Sequence, residues 1–345
     1  MMLPALKTKN RVTKKLFIGM LMVSIVVYLF CVTAVSAKSL DKVSLRLNWY
    51  WGGIHVPYVV ADEKGFYEEY GIDVEIKEGR GSGISTQLVG NKSDDFALAV
   101  APVVCEAIVK GVPIKSILII QQDQAEGVIF LKGTDIKCAK DLEGKRIAAT
   151  ADGSPYKTFL IVAKKNNLDM NKVKVVLVDP AAKPIALMQG KVDALLGGIS
   201  DQPSVLESKG YEPDWILFSD MGVPAMGLTL ITHLDMIATK PDLVERFVTA
   251  TVKGILWTEK HPEEALDIFM KAHPERDREH IDLELRKCIN ILWQLKRPAR
   301  FGWGDPKRVM EMVNILKEYK GLKTDKTWNQ FHTNEFVPCP GLLED

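Results

Sequence analysis

Cysteine is scarce in this chain of 345 residues, and the five present (Cys31, Cys105, Cys138, Cys288 and Cys339) stand far apart. No pair has the spacing of a zinc ribbon or of a redox-active C-x-x-C motif, which excludes both. Cys288 and Cys339 could be joined in an oxidising compartment; buried free thiols are an equal alternative. The signatures of common chemistries are missing as well: there is no G-x-S-x-G, no P-loop, no G-x-G-x-x-G and no H-E-x-x-H. His261, His273 and His280 fall near helix ends without an i, i+4 histidine, so they provide no metal-binding pair. No nucleophile stands beside an evident base, so these residues call for neither an enzyme nor a cofactor. Tandem repeats and low-complexity stretches are absent too. What remains is a globular composition, 47% hydrophobic and 26% charged, in a chain long enough for two cores.

A net positive charge is lacking once the first segment is set aside. Lys7, Lys9, Arg11, Lys14 and Lys15 precede an apolar run from Leu16 to Val32, and Val35-Ser36-Ala37 follows. A basic start, an apolar stretch and small residues make the layout of a secretory signal peptide over residues 1–37, cleaved after Ala37. An uncleaved membrane anchor is the competing reading of the same run. Cys31 lacks the preceding small residue that a lipid-attachment site requires. The formal charge of +1 becomes −4 without those five cations, because the segment holds no acidic residue. Such a balance offers no basic patch for nucleic acid. The expectation is an exported periplasmic or otherwise extracytoplasmic protein, monomeric, with a small-molecule ligand.

Through the middle of the chain short apolar runs alternate with helical patterns, the signature of an α/β protein whose parallel sheets are covered by helices. Strands are predicted over 43–48, 72–77, 96–100, 114–120 and 127–131, and a second series over 146–150, 173–178, 194–196 and 215–218. Helices are predicted at 56–70, 154–166 and 180–189. Beyond a return strand at 226–231 the pattern is helical, over 240–260, 262–272, 279–295 and 306–319, with several starts carrying proline in the first turn. These late helices need a sheet to cover. The economical arrangement is two doubly wound lobes: 38–128 with 227–345 as a discontinuous first lobe, 129–226 as an inserted second, and crossings near 125–132 and 222–230 as the hinge.

Candidate binding residues cluster at predicted strand ends. Gly79-Arg80-Gly81-Ser82-Gly83 and Ala151-Asp152-Gly153-Ser154-Pro155 each lead a strand into a helix, one in each lobe. Such turns present unpaired N–H groups and a hydroxyl to a polar ligand, or serve only as caps. Tyr156 lies just beyond the second. Trp49, Tyr50 and Trp51 follow the first strand, and consecutive rings cannot all face one core. Lining a cleft, they would hold a planar ring; at least one is expected to pack under the next helix instead. Gly52 and Gly53 make the turn or allow close approach, and His55 is a helix-start residue or a ligand contact. Pro102, Gln121, Gly198 and Asp201 occupy other strand ends, where ligands of open α/β sheets sit. Arg300-Phe301-Gly302-Trp303-Gly304 adds a further ring pair, read as packing.

The stretch LRLNWYWGGIHVPYVVADEKGFYEEYGIDVEIKEGRGSG resembles the amino-terminal signature of the NMT1/THI5-like periplasmic solute-binding proteins, the binding components of ABC importers related to those for sulfonates, nitrate and thiamine-precursor pyrimidines. DLEGKRIAAT resembles that family's entry into its second domain, and ALMQGKVDALLGG the helix and strand that follow. The resemblance implies a type II periplasmic-binding-protein fold that closes on a small molecule and delivers it to an ABC permease. It also implies Trp49 and His55 against a heterocycle in the pyrimidine-binding branch. That branch places a glutamate after the double glycine, whereas Gly197-Gly198 here is followed by ISDQPSVL, with Asp201 as a substitute. The cysteine-rich run of the eukaryotic pyrimidine-synthase branch is absent. A small heteroaromatic, vitamin-like ligand is therefore the leading expectation, and a sulfonate, nitrate or other small anion the alternative.

Overall fold

The computed structural model describes residues 39–151 and 153–339. The segment 1–37, expected to be a signal peptide, lies outside them, and no helix among the described residues is long and apolar enough to cross a membrane.

Two five-stranded sheets share one plan. The first joins β1 (Asp41–Arg46), β2 (Ile72–Lys77), β3 (Phe96–Val100), β4 (Ile114–Ile119) and the late β10 (Leu228–His233) in the order β2-β1-β3-β10-β4. β1 is parallel to β2 and β3, and β10 runs antiparallel between β3 and β4. The second joins β5 (Glu126–Leu131), β6 (Arg146–Ala149), β7 (Lys174–Leu177), β8 (Ala194–Gly198) and β9 (Pro213–Leu217) in the order β7-β6-β8-β5-β9, with β5 antiparallel between β8 and β9. Each sheet thus receives one strand directly from the other. The two connecting segments are bonded together: Gly227 N–H donates to the Gln121 carbonyl (2.9 Å), Gln121 N–H to Leu228 (3.0 Å) and Gln124 N–H to Ala225 (2.8 Å).

Helices leave the strand ends that meet at this crossing. In the first lobe these are α1 (Val56–Glu63), α2 (Ser82–Gly90) and α3 (Ala101–Val109); in the second, α4 (Ser154–Lys165), α5 (Ala182–Met188) and α6 (Asp201–Glu207). The helix predicted over 56–70 breaks at Gly65, whose φ of 73° is left-handed, and resumes as a single turn at Phe66–Glu69. After β10 come α7 (Pro241–Lys260), α8 (Pro262–Ala272), α9 (Arg278–Lys287) and α10 (Pro306–Lys320). The helix expected over 279–295 stays α-helical only to Lys287 and then widens into a π-helical turn, Cys288–Leu292.

The late helices cover the first sheet as their apolar spacing requires. α7 buries Val244, Phe247, Val248, Thr251 and Ile255 on one face. Phe247 stacks on Phe96 of β3 with centroids 3.9 Å apart and planes 3° apart, and on Tyr67 at 5.1 Å. α10 is placed differently: it packs on α3 of the first lobe and on α4 of the second. The tail returns to β4, where His332 Nδ1 meets Ser116 Oγ at 2.8 Å and Asn334 brackets Gly304 through both its amide atoms. Cys105 and Cys288 are buried, Cys138 and Cys339 exposed, and all four are free.

Phe247→Ala removes the ring that α7 shares with β3. It should cost about 3–5 kcal/mol in urea unfolding, against less than about 0.5 kcal/mol for the exposed neighbour Glu245→Ala.

Candidate functional site

The exits of β1 and β2 cross at van der Waals range. Gly79 N–H donates to the Trp49 carbonyl (3.0 Å) and Gly81 N–H to that of Asn48 (2.9 Å). A Cβ at Gly79 would lie 1.9 Å from the Leu47 carbonyl oxygen, so only glycine permits the crossing. Gly81 has a φ of 118° and opens α2. The Ser82 hydroxyl accepts the Val100 N–H (3.0 Å), tying the start of α2 to the end of β3. Backbone contacts therefore hold the aromatic loop against the glycine turn, and its three rings point apart. Tyr50 is exposed, Trp49 is half-buried edge-on to it (5.3 Å), and Trp51 lies against His273 (4.1 Å) at the end of α8.

The double glycine answers to a neighbour far along the chain. A Cβ at Gly53 would lie 2.4 Å from both the Glu284 Cβ and the Leu285 nitrogen, so the loop passes directly over α9. Gly53 N–H donates to Glu284 Oε2. His55 is buried with both ring nitrogens engaged: Nδ1 accepts Gly52 N–H (3.2 Å), and Nε2 meets Asn48 Oδ1 (3.1 Å). Burial, with the Arg276 charge nearby, pushes its pKa down to about 3, so the ring stays neutral and braces the loop.

On the second lobe the central group is Glu126, the first residue of β5 and the register partner of Gly198 on β8. Ser154 Oγ donates to its Oε2 (3.3 Å), and so does the Gln124 amide. Surface area leaves Glu126 partly exposed, yet its carboxyl end is enclosed by these groups, and burial raises its pKa to about 7 despite them. Lys183 is buried close by, its Nζ donating to the Leu196 carbonyl (2.8 Å). Asp201 opens α6 and approaches His280 and Glu284 of α9; burial and the facing Glu284 charge raise it to about 6.

Buried polar atoms without a partner include Gln121 Nε2, Gln124 Oε1 and Thr150 Oγ1 at strand ends, and Gln202 Oε1 and His280 Nδ1 on α6 and α9. An unpaired buried amide or hydroxyl costs about 1–3 kcal/mol, and a concentration of them marks where an outside group is taken in. Of these groups, Gln124 lines a cavity of about 180 Å³ between the lobes, with Gly83, Pro102, Ser154, Thr158 and Ala225 among its other lining residues. The amino ends of α2, α3 and α4 reach it.

The predicted residues divide between two stations. Pro102 and Ser154 line the cavity, with Gly81 and Gly153 capping α2 and α4, Ser82 and Tyr156 in the first turns of those helices, and Gln121 and Gly198 at neighbouring strand ends. Trp49, Trp51, Gly53, His55 and Asp201 do not line it; Trp51, Gly53 and Asp201 gather at α8 and α9, one strand over, since β1 pairs with β3. Phe301 and Trp303 lie in a packed loop, where a Cβ at Gly302 would meet Leu118 at 2.1 Å. Glu126, Gln124 and Glu284 were not singled out from sequence. The available signals were an acid opening a predicted strand and a run of polar residues, 121–124, in a crossing segment.

A family model described as NMT1/THI5 like matches residues 53–265. The formylaminopyrimidine-binding protein of Halalkalibacterium halodurans is 25% identical over 296 residues, covering 84% of this chain and 89% of that protein. A 4-amino-5-hydroxymethyl-2-methylpyrimidine phosphate synthase of Legionella pneumophila is 25% identical over 303 residues, covering 86% and 93%. Among solved structures, the periplasmic aliphatic sulphonate binding protein SsuA of Escherichia coli is similar with a TM-score of 0.65 at 13% identity, covering 87% of this chain and all (100%) of that one. Likeness at that identity is one of fold, and the two sheets joined by a double crossing have the periplasmic-binding-protein architecture.

A carboxyl raised from 4.5 to about 7 by folding penalises the native state increasingly as pH rises through that window. Glu126→Gln should therefore gain about 1–3 kcal/mol over the parent at pH 8, discounting for solvent contact, and little at pH 4.5. Urea unfolding at both pH values measures it; an equal gain at both would exclude a raised carboxyl.

Proposed function

We propose that this chain, which belongs to the NMT1/THI5-like family, is the extracytoplasmic solute-binding component of an ABC importer, taking a small heteroaromatic ligand between its lobes. The observation that carries this reading is the unpartnered Gln124 Oε1 at the cavity wall, its amide nitrogen bonded to Glu126, with Gln121 Nε2 and Thr150 Oγ1 also unpartnered at strand ends. A ring bearing amino and ring-nitrogen groups would give Gln121, Gln124 and Thr150 their missing partners and offer N–H donors to the Glu126 carboxylate. Thiamine-precursor pyrimidines and comparable vitamin-like rings have that edge, in keeping with the relative named for formylaminopyrimidine binding. Closure about the two crossing segments would exclude water and create the form that a membrane permease selects. The protein acts as a monomer outside the cytoplasm.

A second ligand class, a sulfonate, nitrate or other small anion, draws on the amino ends of α2, α3 and α4. Glu126 weighs against it, because a carboxylate beside the cavity repels an anion whenever it is ionised. The synthase named among the relatives raises an enzymatic reading. His55, the side chain nearest to such a role in the sequence, is neutral and doubly bonded, which argues for binding over catalysis.

Calorimetric titration of the purified protein with aminopyrimidines, flavins, alkanesulfonates and nitrate tests the proposal. One ring ligand should bind with 1:1 stoichiometry, and Gln124→Ala, which removes an unpartnered amide from the cavity wall, should weaken it by about 1–3 kcal/mol. Binding of anions alone, with Gln124→Ala indifferent, would overturn it in favour of the second reading.

A further inference from the structure

We propose that Asp201, His280 and Glu284 form a divalent-cation site of the zinc class that bridges the two lobes. One donor atom from each lies within 4.8 Å of the other two. Asp201 comes from α6 of the second lobe, whereas His280 and Glu284 are four residues apart on α9, which packs on the first, so both project from one helix face. His280 Nε2 is 3.3 Å from Glu284 Oε1. Histidine spacing alone does not reveal this cluster, because the i, i+4 partner of the imidazole is a carboxylate.

The supporting shell is that of a metal site. Gly53 N–H holds Glu284 Oε2, which leaves Oε1 turned toward His280. The Gln202 amide holds Asp201 Oδ2. Asp277 accepts the His280 backbone N–H (3.1 Å) and fixes the first turn of α9. Such outer contacts orient ligands and raise affinity by about 10–100-fold. Glu284 is 5% exposed, so its charge is withdrawn from water, and a second carboxylate faces it. The cations that act on this pair are His280 and Lys183, and the Lys183 ammonium is bonded to the Leu196 carbonyl and to neither carboxylate.

The donor set selects the ion. One imidazole and two carboxylates suit Zn²⁺ and similar first-row ions, and supply too few oxygens for Ca²⁺. Ligand bonds of about 2.0–2.2 Å require the donors to draw somewhat closer than they lie here, leaving a fourth position for water. Because the donors belong to opposite lobes, drawing them together presses α6 onto α9. The ion pair of Lys287 with Glu207 already joins those two helices. The site would favour the closed form whatever organic ligand the seam takes.

Zn²⁺ titration of the untagged, chelator-stripped protein at neutral pH tests the site without any organic ligand, so its result is separate from that of the ligand titrations. One Zn²⁺ per chain should bind, unaffected by excess Ca²⁺, and raise the unfolding temperature. Glu284→Gln, His280→Asn and Asp201→Asn should each weaken binding by about tenfold or more. Metal-free unfolding curves establish that each variant is folded, and Co²⁺ absorption of the parent supplies a readout that needs no variant. A parent that fails to bind one equivalent, or parent-like affinity in all three variants, overturns the proposal.

Discussion

The paired crossing governs everything else in this molecule. β5 and β10 each enter a sheet from the opposite lobe, and the segments before them are hydrogen-bonded to each other at Gln121, Gln124, Ala225, Gly227 and Leu228. Two short antiparallel connections resist shear and permit bending, so the lobes keep their register while the angle between them can change. The same crossing brings the amino end of β5 beside the carboxyl ends of β6 and β8, and that placement makes an acid at position 126 a cleft residue.

Much of this architecture is written in local pattern. The strand at 72–77 alternates buried and exposed residues over its first four positions, as IDVEIK suggests, and the strand at 96–100 is a short apolar run buried on both sides. The return strand stood out because an apolar run separated by turn residues preceded a wholly helical region. What stayed hidden is non-local. Gly53 and Glu284 are 231 residues apart in the chain, so nothing near the double glycine announces the helix that requires it. Glu126 owes its surroundings to Gly198 on a neighbouring strand, and no spacing rule links them. The Trp49-Tyr50-Trp51 trio was legible as a cluster whose rings must diverge. Which ring turns inward was decided by His273 and Phe269 of the α8 region, which sequence reading had no means to align with it.

Acidic groups distinguish this seam from a generic pair of phosphate-seeking turns. Glycine-serine turns and helix starts alone suit an anion, and the sequence reading left that alternative open. Glu126 and Asp201 reverse the sign of the surroundings, each held partly protonated near neutrality by burial. A cleft built in this way discriminates by hydrogen-bond polarity. On the proposed function, its ionised carboxylates would reward a ligand edge rich in N–H groups and penalise one made only of oxygens.

The last helix carries a mechanical consequence. α10 rests on α3 on one side and α4 on the other, so it spans the joint like a splint laid across a knuckle. Side chains that interlock with two bodies let those bodies slide along the helix more readily than they let them part from it. Any change of angle between the lobes must therefore shift α10 against α3 or against α4.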